Sequence, residues 1–223
     1  MTPDTSPQVS TSVGDYLKAI WMLGGEDSVA TKDLAARLGI APASVSEMLG
    51  RLNEAGLVKH VPYHGVSLAP AGLREAMRLV RRHRLIETFL VQHLGFPWDE
   101  VHAEAEVLEH AVSDRFIQAL DDLLGNPSHD PHGDPIPSAA GSLPSTPAVL
   151  LTEARPGSRF RVSRLHTQDS ADLSMLSALG LIPGRVLEII SVPPGHDSVV
   201  IELEGKECPV EGRLAALVHG EPV

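Results

Sequence analysis

The chain has 223 residues, of which 43% are hydrophobic and 21% charged, with a formal net charge of −11. At about 150 residues per domain this is one to two globular domains, and the short, charge-interrupted apolar runs exclude a membrane-spanning helix. The single cysteine, Cys208, excludes a disulfide framework and a cysteine-cluster zinc site.

With no basic-then-apolar leader at the start, a reducing cytoplasm is the expected compartment. The charge is uneven. Residues 1–95 carry 10 Lys+Arg against 9 Asp+Glu, and residues 96–223 carry 8 against 20. A near-neutral first half can present a basic face to phosphates, and an acidic second half can hold cations.

Residues 1–11 are polar and expected to be disordered. Apolar residues recur at helical spacing from Val13 to Leu23, and Gly24-Gly25 ends that helix. Thr31 is expected to cap a second helix, TKDLAARLGI, which stops at Gly39. A third follows, with Pro42 in its first turn, Val45, Met48, Leu49 and Leu52 facing inward, and Gly56 closing it. LVKHVPYHGVSLAPAG reads as two strands around the turn Tyr63-His64-Gly65.

A long helix is expected over about 71–93 and another over about 98–124, the latter with eight acidic residues and only Arg115 basic. Residues 125–148, dense in Pro, Gly, Ser and Asp, read as a linker whose His129 and His132 could bind metal but, beside Asp and Pro, are expected to be solvated. From Val149 onward, alternating segments read as short strands of a small β-barrel, interrupted by the helical insert SADLSMLSALG. Cys208 is expected to be a packed barrel thiol, and His196 a turn residue.

Two short helices joined by a tight turn and followed by a hairpin make a winged helix-turn-helix pattern, whose second helix enters the DNA major groove by its N-terminal end. Here that end is Ala41, Pro42, Ala43, Ser44, Ser46 and Glu47, small or hydroxylated for the most part. Such residues allow close approach, phosphate contacts and apolar contact with thymine methyls. Arg37, Arg51 and Lys59 are candidate phosphate contacts. No Arg, Asn or Gln opens the helix, so DNA shape is expected to carry much of the specificity.

A second constellation lies downstream. VHAEAEVLEH places His102, Glu106, Glu109 and His110 on one helical face. The preceding helix adds His83 and Glu87 at i, i+4, and the first helix adds Asp15. Carboxylates and imidazoles without thiolate suit Mn(II) or Fe(II).

These segments resemble the diphtheria toxin repressor family of metal-dependent transcriptional regulators over about residues 12–220. The carriers are LAARLGIAPASVSEMLGRLNEAGLV, RRHRLIETFL, VHAEAEVLEH, the HGDPIP at 132–137 (similar to the family's HGNPIP) and the tail LGLIPGRVLEI. The resemblance implies a mainly α fold with small β parts. It divides into a winged helix-turn-helix domain (1–70), a helical metal-binding and dimerisation domain (71–125), a linker (126–148) and an SH3-like β-barrel (149–223).

It also implies a primary metal site of Asp15, Glu106, Glu109 and His110 and a second site of His83, Glu87 and His102, with His166, Gln168 or Asp169 as barrel contributions. Iron-sensing members have Met and Cys where this chain has Asp15 and Glu106, so the carboxylates resemble the manganese-sensing branch. Lys18 stands where two-domain manganese sensors place a further glutamate, which argues for separate rather than paired cations. The implied function is a homodimeric repressor on a palindromic DNA operator, with Mn(II) or Fe(II) as corepressor, acting on metal-uptake genes.

Two other classes share parts of this composition. A helical metalloenzyme of the di-iron type needs Glu-x-x-His pairs, and a metallohydrolase needs His-Glu-x-x-His; neither occurs. A metal buffer that never touches DNA would show no salt-dependent duplex binding.

Overall fold

A computed structural model describes residues 10–61, 64–144, 148–193 and 198–223. The expectations for residues 1–9, for Tyr63 in the hairpin turn and for His196 lie outside the described residues. No described helix is long and apolar enough to cross a membrane. The chain divides into two compact units, Met1–Arg82 with Pro137–Ser142, and His83–Ile136 with Leu143–Val223.

In the first unit, α1 (Thr11–Gly24), α2 (Thr31–Leu38) and α3 (Pro42–Glu54) precede the antiparallel hairpin β1 (Val58–Val61) and β2 (Gly65–Leu68). Leu17, Ile20, Leu34, Val45, Leu49, Leu52 and Val66 form one buried core. It gathers the stripe that each helix keeps on one face.

Gly39 ends α2 in the left-handed conformation, φ 66°, which a residue without Cβ adopts freely. Thr31 is not the cap of α2. Ala30 holds that position and no side chain caps the helix, so Thr31 is its first helical residue. The hairpin is tied to α3 by the His60 amide, which donates to Asn53 Oδ1 at 3.0 Å. Helix α4 (Pro70–Leu94) begins in this unit and continues into the second.

The second unit layers two kinds of structure. Its helical part comprises the end of α4, then α5 (Val101–Ala111) and α6 (Asp114–Leu123), packed through Leu85, Ile86, Leu90, Val101, Ala105, Ile117 and Leu120. The single helix expected over 98–124 is therefore two. Val112 turns to extended backbone, and Ser113 caps α6 by accepting from the Phe116 amide.

The C-terminal part is a six-stranded antiparallel sheet in the order β3-β8-β4-β5-β6-β7. Its strands are β3 (Val149–Leu150), β4 (Arg159–Leu165), β5 (Val186–Ser191), β6 (Ser198–Leu203), β7 (Lys206–Glu211) and β8 (Val218–Pro222). The insert is α7 (Ser170–Ala178), and a short α8 (Gly212–Ala215) precedes β8. Phe160, Val162, Leu165, Leu173, Leu176, Ile189 and Ile201 fill this core, and Cys208 packs at its margin, half-buried.

Residues 128–138 are not the solvated connector that their composition suggested. Asp130, His132, Asp134 and Ile136 are all buried. A compact turn organises them, in which Asp130 Oδ1 accepts from the amides of His132 and Asp134, both at 2.9 Å. Gly133 sits at φ 84°, and a Cβ there would lie 2.0 Å from the Ser163 carbonyl oxygen. The Leu165 amide donates to the His132 carbonyl at 2.9 Å, so the turn docks on β4 by main chain.

Candidate metal centre and nucleic-acid interface

Helical periodicity brings the donors of the second unit together. On α4, His83 and Glu87 stand one turn apart. On α5, His102, Glu106 and His110 follow at i, i+4 and i+8, with Glu109 beside them. His83 Nδ1 lies 2.5 Å from Glu109 Oε2, and His83 Nε2 lies 2.9 Å from both Glu87 Oε1 and His102 Nδ1. His102 Nδ1 is 3.1 Å from the same Glu87 oxygen. His83, Glu87 and Glu109 are each at most 2% exposed.

Carboxylates only accept, so His83 donates Nδ1–H to Glu109, and its Nε2 donates to Glu87 when the ring is protonated or turns a lone pair to a cation when it is not. Two nitrogens and an oxygen then face one another with edges of 2.9, 2.9 and 3.1 Å. These edges match a triangular face of an octahedron with metal–ligand bonds of about 2.1 Å. What stabilises such a face is a positive charge at its centre, a proton or a divalent cation. The three residues fit a cation, and the Glu109 carboxylate behind His83 fixes the ring tautomer in the way metal-binding histidines require. Burial opposes ionisation of Glu87. The charge of His83 and hydrogen bonds from His102 and His83 overcome it and hold the carboxyl well below its ordinary range.

Glu109 faces two ways. Oε2 meets His83, while Oε1 lies 3.6 Å from His110 Nε2. Glu106 Oε1 lies 3.5 Å from His102 Nε2. The α5 residues expected in the primary site thus lie beside those expected in the second. Asp15 is half-buried on α1 in the first unit, and Lys18 is buried on the same helix.

The structure also shows donors that the composition concealed. Glu87, Asp130 and His132, all buried, place ligand atoms within 4.8 Å of one another, as do His83, His102 and Glu106. Burial, then the like charges of Glu87 and Asp134, push the Asp130 carboxyl well above its ordinary range against the pull of Arg84.

The barrel residues are placed otherwise. Asp169 caps α7 by accepting from the Asp172 amide, and His166 receives Arg164 at 3.0 Å. Neither His166 nor Asp169 belongs to a converging donor group among the described residues. Gln168, beside them, is half-buried.

Burial, then Arg164, lowers the affinity of His166 and His219 for protons. A histidine whose folded-state value is depressed keeps its neutral form in the folded chain, while the unfolded chain takes up the proton at about pH 6.5. Stability is therefore complete above that pH and falls on acidification below it. Thermal melts from pH 7.5 to 5 should show this decline, and His166→Gln with His219→Gln should flatten it.

The DNA-facing candidates lie on the surface of the first unit. Ala41, Pro42, Ala43, Ser44, Ser46 and Glu47 are exposed, as are Arg37, Arg51 and Lys59. Ala41 gives α3 no side-chain cap, so its first-turn amides remain available to an anion. Arg51 pairs with Glu47 at 2.5 Å. Both side chains are about two-thirds exposed, and such a pair contributes roughly 0–1 kcal/mol, so Arg51 exchanges it readily for a phosphate.

Residues 8–66 match the model "Iron dependent repressor, N-terminal DNA binding domain", residues 69–138 match "Iron dependent repressor, metal binding and dimerisation domain", and residues 149–222 match "FeoA domain". The chain is 33% identical over 205 residues to the iron-dependent repressor IdeR of Mycobacterium leprae, covering 86% of this chain and 88% of that protein. The chain belongs to the iron-dependent repressor family.

The repressor is also 33% identical over 219 residues to the diphtheria toxin repressor of Corynebacterium glutamicum, covering 93% and 95% of the two chains. Among solved structures, a manganese-dependent transcriptional repressor in complex with manganese superposes with a TM-score of 0.87 at 39% identity, over 95% of this chain and all of that one. The repressor is accordingly a metal-dependent DNA-binding regulator. It has an N-terminal DNA-binding domain, a helical dimerisation domain and an SH3-like C-terminal sheet.

Proposed function

We propose that this repressor senses Mn(II), with Fe(II) as the alternative corepressor, and that the metal-loaded homodimer closes palindromic operators of metal-uptake genes in the cytoplasm. The observation that carries the choice of metal is the donor set: oxygen and imidazole throughout, with the triangle of His83 Nε2, His102 Nδ1 and Glu87 Oε1 sized for an octahedral cation. Asp15, Glu106, Glu109 and His110 would hold one cation, and His83, Glu87 and His102 a second.

Bound there, a divalent cation would supply a positive charge that these carboxylates share. Without it, the clustered carboxylates would repel and the DNA-binding unit would swing freely. With it, that repulsion would become attraction toward one centre. The two recognition helices of a dimer are then fixed about 34 Å apart, one turn of DNA. Metal and DNA affinity become reciprocally coupled, by about 1–3 kcal/mol.

The test is fluorescence anisotropy of a labelled operator duplex with and without Mn(II). Tighter binding with the metal is expected, and equal affinity in both conditions removes the switch. Arg51→Ala and Lys59→Ala should each weaken binding evenly across sequences and lower the slope of log affinity against log salt by about 0.9.

A further inference from the structure

We propose that Glu47 is the base-reading side chain of α3 and that it selects cytosine, by accepting from the N4 amino group in the major groove. The assignment rests on α3 entering operator DNA as the recognition helix.

Three residues of α3 turn inward: Val45, Leu49 and Leu52, each at most 2% exposed. At about 100° per residue, the face opposite them carries Ala43, Glu47, Gly50 and Glu54. Glu54 closes the helix, roughly 10 Å farther along the axis than Glu47 and away from the end that enters the groove. Of the other three, only Glu47 has a side chain long enough to reach beyond the helix surface. A methyl group precedes it on this face and bare backbone follows it.

Gly50 marks the face as built for a close neighbour. Glycine inside a helix is less favourable than alanine. Nothing within the chain requires it here: a Cβ at this position would meet no atom within 4 Å, and the backbone is regular helix. The space is left for a surface outside the chain.

A carboxylate on such a face is unfavourable beside phosphates unless the groove offers it a donor. In the free chain Arg51 answers it at 2.5 Å, one turn along the helix. Both side chains are about two-thirds exposed, so the pair opens at little cost. When Arg51 moves to a phosphate, Glu47 is left facing the base edges. Two bases present an amino donor there. Adenine sets its N7 acceptor beside N6, which opposes a second acceptor, whereas cytosine presents N4 with no acceptor of its own at that edge. A carboxylate accepts and does not donate, so cytosine is the base that it fits. DNA shape then discriminates at the positions that α3 does not touch.

The test is selection from a randomised duplex pool by the full-length protein in the presence of Mn(II), with sequencing of the bound fraction and anisotropy on individual duplexes. The wild type should favour cytosine at one position of each half-site by about tenfold. Glu47→Gln keeps the length of the side chain and an acceptor for Arg51. It should move the preference at that position to adenine, whose N6 and N7 match an amide. Glu47→Ala should flatten that position alone. Base preferences that are the same in all three proteins overturn the assignment. So does a change in affinity spread evenly over all sequences, which would make Glu47 a partner of Arg51 and nothing more. Either result leaves the repressor reading standing. A wild type that enriches no duplex with Mn(II) overturns both.

Discussion

Replacing Glu106 with alanine should abolish the manganese response of operator binding and leave the fold intact. The Glu106 side chain is 41% exposed and lies 3.5 Å from His102 across one helical turn, a contact of small energetic weight. The side chain belongs to none of the buried hydrophobic cores, so truncation opens no core cavity. It removes one of three carboxylates from the proposed primary site, and with it the free energy that links metal to DNA, about 1–3 kcal/mol or roughly 5–150-fold in affinity. Anisotropy titrations with and without Mn(II) would read the loss directly, and an unchanged thermal melt of the metal-free protein would show that folding is spared. Glu106→Cys sharpens the same point. A thiolate at that position should raise Fe(II) relative to Mn(II) in a competition titration, and an unaltered ranking would defeat the argument from donor hardness.

The largest effect on stability is expected at Gly133. Alanine there would hold a left-handed φ of 84° and push its Cβ to 2.0 Å from the Ser163 carbonyl oxygen and 2.8 Å from the Arg164 Cα. Both neighbours are backbone of β4, so neither yields by rotating a side chain. Backbone strain of about 1–3 kcal/mol adds to overpacking of similar size, for a total of about 2–6 kcal/mol. Urea unfolding of Gly133→Ala would measure it. A cost below about 1 kcal/mol would mean that the turn does not rest on β4 as described.

The same region shows where sequence reading stops. Asp130 and His132 stand among prolines, glycines and serines, a composition that ordinarily marks a solvated connector. Nothing in local periodicity reports that a short turn will be buried between α4 and β4. That outcome depends on contacts made far along the chain, such as Leu165 to His132 and Arg84 to the Pro135 carbonyl at 2.5 Å. The break at Val112–Ser113 was hidden for a related reason. Apolar spacing on both sides fits one continuous helix, and only the Ser113 cap betrays the interruption. Ser-x-x-Phe is a weak signal beside so regular a pattern.

By contrast, the helix-turn-helix, the hairpin and the faces of α4 and α5 were legible because each follows from a period. His102, Glu106 and His110 recur at four-residue intervals, and His83 and Glu87 do the same on the facing helix. Spacing alone therefore aims each helix's donors to one side. The role of Glu109 as the carboxylate behind His83 was not legible. Its neighbour on α4 is set by how the two helices pack, not by the residues beside it in sequence.

The account rests on reciprocal coupling between metal and DNA, and one titration tests it most directly. Binding of Mn(II) to the full-length protein would be measured by calorimetry, once alone and once in the presence of saturating operator duplex. The account predicts that DNA tightens Mn(II) binding by the same factor by which Mn(II) tightens DNA binding, roughly 5–150-fold. Manganese affinity unaffected by the duplex would contradict it.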